Sequence, residues 1–250
     1  MTAPAHPAHV LVLPGGGYER HAPHEAEPVA EWLNGLGIST EVVRYPVHTR
    51  HPGPLDAVRE RVRAARAAGA SPVGVLGFSA GGHAAGTAAL AGPIADDERL
   101  DFAILGYPVV SMELDTHQGS RHALIGADAT AEVRRSLSLD RLVTPEAPSF
   151  FIWHTADDAG VPVTHSYLLA QALAEHGGAH ELHVYETGAH GLGLAPDAGT
   201  ASDLAVGETG MGLVGWSGDV DVWKLGTEVL AAKALGVIGG LYLRGIGFDY

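Results

Sequence analysis

Short apolar runs recur along the chain, separated by stretches with helical patterning. Runs near His9–Leu13, Ile38–Tyr45, Val73–Phe78, Phe102–Tyr107, Ser149–His154 and Glu181–Glu186 are brief and rich in β-branched residues. Near-continuous apolar runs of this length suit strands buried on both faces, as in a parallel sheet. Between them the pattern predicts helices at His24–Leu36, Pro54–Ala68, Ala80–Leu90, Val163–His176 and Trp223–Leu235. In 54–68, Leu55, Val58 and Val62 share one face, and Arg59, Arg63 and Arg66 share another. Strand alternating with helix gives an α/β chain with a doubly wound, mostly parallel sheet and right-handed crossovers. Two stretches interrupt the alternation. Residues 108–148 hold little strand pattern and are expected to form a small insertion over the sheet edge. Residues 195–222, rich in Gly, Asp and Ala, read as a long loop. With no internal repeat and no low-complexity linker, residues 1–250 read as one domain.

Composition narrows the function. The chain has 250 residues, 46% apolar and 18% charged, which is enough to bury a sizeable core. It contains no cysteine, so disulfides, thiol nucleophiles and cysteine-based zinc sites are excluded. A net charge of −14 repels phosphate backbones and argues against nucleic-acid binding. Residues 1–9 carry no basic region leading into an apolar run, so no signal peptide is read and a cytoplasmic location is expected. The apolar stretch 234–243 is too short to span a bilayer, so no membrane partner is expected. Self-association is left open.

The candidate chemistry starts at Gly77-Phe78-Ser79-Ala80-Gly81. This G-x-S-x-G sequence follows an apolar run and opens a helix-compatible one, the setting of a nucleophile elbow. The tight turn needs small residues beside the serine, and Gly77, Ala80, Gly81 and Gly82 supply them. A serine hydroxyl needs a base to take its proton. Of the 15 histidines, His190 stands in Gly188-Ala189-His190-Gly191, just past the last strand. His6, His9, His21 and His24 are expected to be solvated, and His83 either lines a pocket or packs. A carboxylate must then orient the base. Asp157 and Asp158 follow the strand Ser149–His154, and on the residues alone either one fits. The order Ser, Asp, His is that of an α/β-hydrolase. Pro14-Gly15-Gly16-Gly17-Tyr18 follows the first strand, where glycines let backbone N–H groups approach a substrate oxygen. Ala80, after the serine, supplies the second donor. No dinucleotide or Walker spacing accompanies the glycines. Pro23 breaks the helical geometry that His21 and His24 would need to hold a metal. No metal and no cofactor are called for.

Together these segments carry a family resemblance. Leu13–Tyr18, His24–Leu33, Leu76–His83, Leu105–Val109, Gly119-Ser120-Arg121, Trp153–Asp158 and Gly188–Leu194 are similar to the acetyl esterase/lipase group of α/β-hydrolases. Within it, the chain resembles acetyl-xylan-esterase-like enzymes related to the hormone-sensitive-lipase-like HGGG group. The resemblance implies an α/β-hydrolase fold, shortened at the N-terminus by the leading strands of larger members. It implies Ser79 as nucleophile and His190 as base. The acid, three residues before the Val161-Pro162 pair, falls on Asp158, with Asp157 as runner-up. Gly16, Gly17 and Ala80 correspond to the oxyanion hole. Pro14 stands where many members have histidine. The activity implied is that of a serine carboxylesterase acting on short-chain, acetyl esters, with a small-molecule or carbohydrate ester as substrate. Amide or lactone hydrolysis, or a silent hydrolase-like binding protein, are the rivals.

Overall fold

The computed structural model describes residues 8–114 and 116–194. The expected loop 195–222 and helix Trp223–Leu235 lie outside the described residues. Six strands, β1 (His9–Leu13), β2 (Ser39–Val42), β3 (Val73–Phe78), β4 (Phe102–Gly106), β5 (Ser149–Thr155) and β6 (His180–Tyr185), form one sheet in the order β2-β1-β3-β4-β5-β6. Every neighbouring pair is parallel. β2 is shorter than the apolar run predicts. Val43 and Tyr45 stay buried and Val43 N–H still bonds Val12 O, but Pro46 then turns the chain away.

Seven α-helices are described: α1 (Glu27–Gly35), α2 (Gly53–Ala67), α3 (Ser79–Leu90), α4 (Gln118–Ile125), α5 (Ala131–Ser136), α6 (Leu139–Leu142) and α7 (Thr164–Glu175). Alternation along the strands splits the core in two. Leu11, Leu13, Val73, Val75, Ala103, Leu105, Phe150 and Ile152 pack with α2, α3, α6 and α7. Val10, Val12, Leu76, Phe78, Ile104, Phe151 and Trp153 face the other way and meet Val29, Ala30 and Leu33 of α1. All six residues of β3 are buried, as a strand covered on both faces requires.

Residues 108–148 do not sit over a sheet edge. They carry α4, α5 and α6, and α6 packs against α3 and α7 on the helical layer. The cause is α3 itself. All twelve of its residues are buried, so it has no solvated face and needs cover on every side. Leu139 supplies part of that cover from the space that Gly86 leaves, where an added Cβ would lie 2.5 Å from the leucine.

The strand order places the functional loops. β1 connects to β2 on one side while β3 lies on its other side, so the winding reverses between β1 and β3. Ligands of open α/β sheets bind outside the carboxyl ends of the strands at such a reversal. Leu13 pairs with Gly77, Phe78 with Gly106 and Gly106 with Trp153, so these strands end level. The loops that follow β1, β3, β4 and β5 therefore emerge side by side.

Candidate active site

Ser79 occupies the first position of α3 with φ 51°, in the left-handed region that a residue with a side chain rarely adopts. The turn is held by close backbone approach. A Cβ on Gly77 would lie 2.4 Å from Gly81 O, and one on Gly81 would lie 2.2 Å from Leu13 O. No side chain fits at either place, which explains the glycines on both sides of the serine. The elbow leaves Ser79 nearly buried but directed at the loop after β6.

That loop brings His190 back over the sheet. Ser79 Oγ lies 2.8 Å from His190 Nε2, and His190 Nδ1 lies 2.7 Å from Asp158 Oδ2. The carboxylate accepts only, so Nδ1 carries the proton and leaves Nε2 free to accept from the serine. Asp158 has further partners. Its Oδ1 accepts the N–H groups of Gly160 at 2.8 Å and Val161 at 2.9 Å. Its Oδ2 also lies 3.2 Å from Nε2 of the fully buried His154. Burial works against the charged carboxylate, but the bonds from His154, His190 and Val161 N–H, with the His190 charge, outweigh it. Asp158 is held well below the usual carboxylate range. Asp157 points elsewhere: it is exposed, and its Oδ1 accepts Gly188 N–H at 2.8 Å, bracing the base of the His190 loop.

The glycine run lies against the serine. A Cβ on Gly15 would come within 3.0 Å of Ser79 Cβ. Gly16 and Gly17 have φ 120° and 73°, and Gly16 O closes a turn by accepting from Glu19 and Arg20 N–H. Among the described residues the N–H groups of Gly16 and Gly17 have no protein acceptor. The Ala80 N–H belongs to the first turn of α3, where helix donors lack an intrahelical partner. The structure thus brings Ser79, Asp158, His190, Gly16, Gly17 and Ala80 to one place. His117 adjoins them: its ring lies beside Gly17, and burial and the charge of His190 lower its pKa.

Several polar residues around the site escaped sequence reasoning. His154 is a polar residue inside an apolar strand, a signal that does mark a buried bonded group. Glu25 and Tyr107 carried no such signal. His24, expected in solvent, is half-buried and donates from Nε2 to Gly191 O at 2.7 Å, because the loop after β6 folds back onto the Pro23–Glu25 turn. His21 is likewise drawn in, with Nε2 donating to Tyr45 O at 3.0 Å and its ring edge-on to Tyr45. His83 packs. Its Nε2 donates to Leu137 O and its Nδ1 accepts from the Tyr18 hydroxyl, both at 2.7 Å.

Burial pushes His83 from 6.5 down to about 4, against the raising effect of its Leu137 bond, and burial also lowers His9, His21, His51 and His117. The unfolded chain binds protons at these histidines before the folded chain does. Stability should therefore be unaffected above pH 6.5 and should fall as pH drops from there to about 4. The urea midpoint is expected to be lower at about pH 4.5 than at neutral pH. An unchanged midpoint would count against these burial effects.

Among the described residues no group of three or more His, Asp or Glu side chains could hold a metal ion, and no helix is long and apolar enough to cross a membrane.

Comparison with known proteins assigns the family. Residues 55–202, more than half of the chain, match the prolyl oligopeptidase family. The chain belongs to that family. Likeness to three other proteins extends over more of the chain. It is 36% identical to an acetyl ester-xyloside bifunctional hydrolase from Caldicellulosiruptor lactoaceticus, whose crystal structure superposes with a TM-score of 0.78 over 96% of this chain and 87% of that one. It is 30% identical over 198 residues to an acetylxylan esterase of Xylanibacter ruminicola, covering 74% of this chain and 41% of that protein. It is 33% identical over 208 residues to endo-1,4-beta-xylanase B of Butyrivibrio fibrisolvens, covering 75% of this chain and 33% of that protein. The chain thus spans a third to two-fifths of the length of these two curated relatives. The likeness to acetyl esterases of the α/β-hydrolase fold stands beside the family assignment.

Proposed function

We propose that this member of the prolyl oligopeptidase family is a serine carboxylesterase that removes short acyl groups, chiefly acetyl, from a carbohydrate. One observation carries the reading: the unbroken series Ser79 Oγ, His190 Nε2, His190 Nδ1, Asp158 Oδ2, with spacings of 2.8 and 2.7 Å, beside a glycine run in which the N–H groups of Gly16 and Gly17 have no protein acceptor among the described residues. His190 Nε2 takes the Ser79 proton as Oγ bonds to the ester carbonyl carbon. Charge gathers on the carbonyl oxygen, which Gly16, Gly17 and Ala80 N–H stabilise. The C–O bond to the alcohol breaks, and the alcohol oxygen leaves with the proton from His190. Water then gives its proton to His190 and attacks the acyl-enzyme, releasing the acid and restoring Ser79. Asp158 keeps the imidazole in the tautomer that accepts from serine. Acetyl and sugar as the two halves of the ester rest on what the relatives are named for.

Hydrolysis of p-nitrophenyl acetate, butyrate and octanoate, with acetate release from acetylated xylo-oligosaccharides, tests the proposal. Activity that falls with acyl length and extends to the acetylated sugar is expected. Activity on octanoate exceeding that on acetate would overturn the short-chain reading. The family name favours a second reading, peptide-bond hydrolysis by the same groups. Cleavage of peptidyl p-nitroanilides faster than of the acetate ester would establish it.

A further inference from the structure

Two adjacent side chains on the turn Pro23–Glu25 reach both loops that frame the Ser79–His190 pair. Glu25 is only 2% exposed. Its Oε2 accepts Gly15 N–H at 2.7 Å, at the head of the glycine run. Its Oε1 accepts the Tyr107 hydroxyl at 2.7 Å. Tyr107 Oη in turn accepts Gly193 N–H at 2.8 Å, and its ring stands edge-on to the His190 imidazole with centroids 5.0 Å apart. His24 Nε2 holds Gly191 O, so the loop is fastened on both sides of Leu192. Gly193 also packs on His24, where a Cβ would lie 3.1 Å from the ring.

A carboxylate this deeply buried is costly unless its oxygens are well partnered. Among the described residues no lysine or arginine pairs with Glu25; its ionic neighbour is His24, with Nε2 at 3.7 Å. Its hydrogen-bond donors are a glycine-loop N–H and a tyrosine that holds the histidine loop. A core residue placed for stability alone has no need of a charge shared between two functional loops.

We propose that Glu25, assisted by His24, is a positioning clamp that fixes the oxyanion glycines relative to His190. This rests on the esterase reading above. Glu25 acts through Gly15 and Tyr107. Displacing a catalytic group by about 1 Å costs on the order of a hundredfold in rate. Releasing Gly15 should therefore reduce turnover while leaving substrate affinity nearly intact.

The test compares wild type with Glu25→Ala, Glu25→Gln and Tyr107→Phe on p-nitrophenyl acetate and with methyl trifluoromethyl ketone as transition-state analogue. Glu25→Ala is expected to lower kcat about a hundredfold with KM within about threefold, and to weaken the analogue by about the factor lost in kcat/KM. Glu25→Gln is expected to regain about tenfold of the loss, because its amide oxygen can still accept from Gly15. Should Glu25→Ala not fold, Tyr107→Phe breaks the same series at its second link and is expected to lower kcat about tenfold. Variants that fold with kcat and analogue affinity near wild type overturn the clamp while esterase activity stands. A melting temperature that drops with kcat per folded molecule unchanged overturns it as well. A wild type that cleaves no ester overturns the esterase reading, and the clamp with it.

Discussion

Replacing Ser79 by alanine is expected to lower kcat on p-nitrophenyl acetate about a million-fold, to the level that binding alone sustains. The size follows from how the groups cooperate. His190 Nε2 at 2.8 Å has no proton to take once Oγ is gone, and Asp158 then orients a base with nothing to activate. Replacing His190 by alanine should cost nearly as much, and the double variant little more than either, because the groups act as one unit. The alanine variant should fold. Ser79 Oγ bonds only His190 among the described residues, and alanine tolerates the elbow about as well as serine does. Labelling by a fluorophosphonate probe should disappear with activity. Residual turnover within tenfold of wild type, or probe labelling that persists, would remove Ser79 from the nucleophile role.

Much of the arrangement was legible in the chain. The strands are buried on both faces, so their apolar runs are nearly uninterrupted, and β3 is the clearest case. The elbow was legible because Gly77 and Gly81 answer steric demands that lie within a few residues of Ser79. What the sequence hides is whatever depends on distant segments meeting. Glu25 finds its partners 10 and 82 positions away, at Gly15 and Tyr107, and no periodicity reports that. His24 looked solvated because the loop that covers it lies 167 positions further on. The cover over α3 was readable in principle. Ser79–Leu90 has no run of charged positions, and a helix without a polar face must be enclosed, so the segment 108–148 had to pack on helices rather than over a sheet edge. Which of two adjacent aspartates turns inward was not readable from the pair itself, because that is settled by the N–H groups of Gly160 and Val161 closing on one of them.

Those two N–H groups also make the aspartate pair a sharp test. In Asp158→Asn the amide must keep its carbonyl toward Gly160 and Val161 N–H, since an NH2 there would face two donors. The NH2 then faces His190 Nδ1 and donates to it. The single imidazole proton moves to Nε2, where it meets Ser79 as a donor, and the base is lost while the geometry is preserved. His154, whose Nε2 lies 3.2 Å from the same Oδ2, would face a donor as well, which leaves the amide no better orientation. A fall in kcat of about ten-thousand-fold with KM little changed is expected. Asp157→Asn keeps an oxygen for Gly188 N–H and touches neither His190 nor Ser79, so it should stay within about threefold of wild type. Measuring kcat for both variants separates the two carboxylates. The reverse ranking would move the acid to Asp157. Equal, small losses would mean that His190 keeps its working tautomer without a carboxylate, and the esterase mechanism drawn through Asp158 would have to be abandoned.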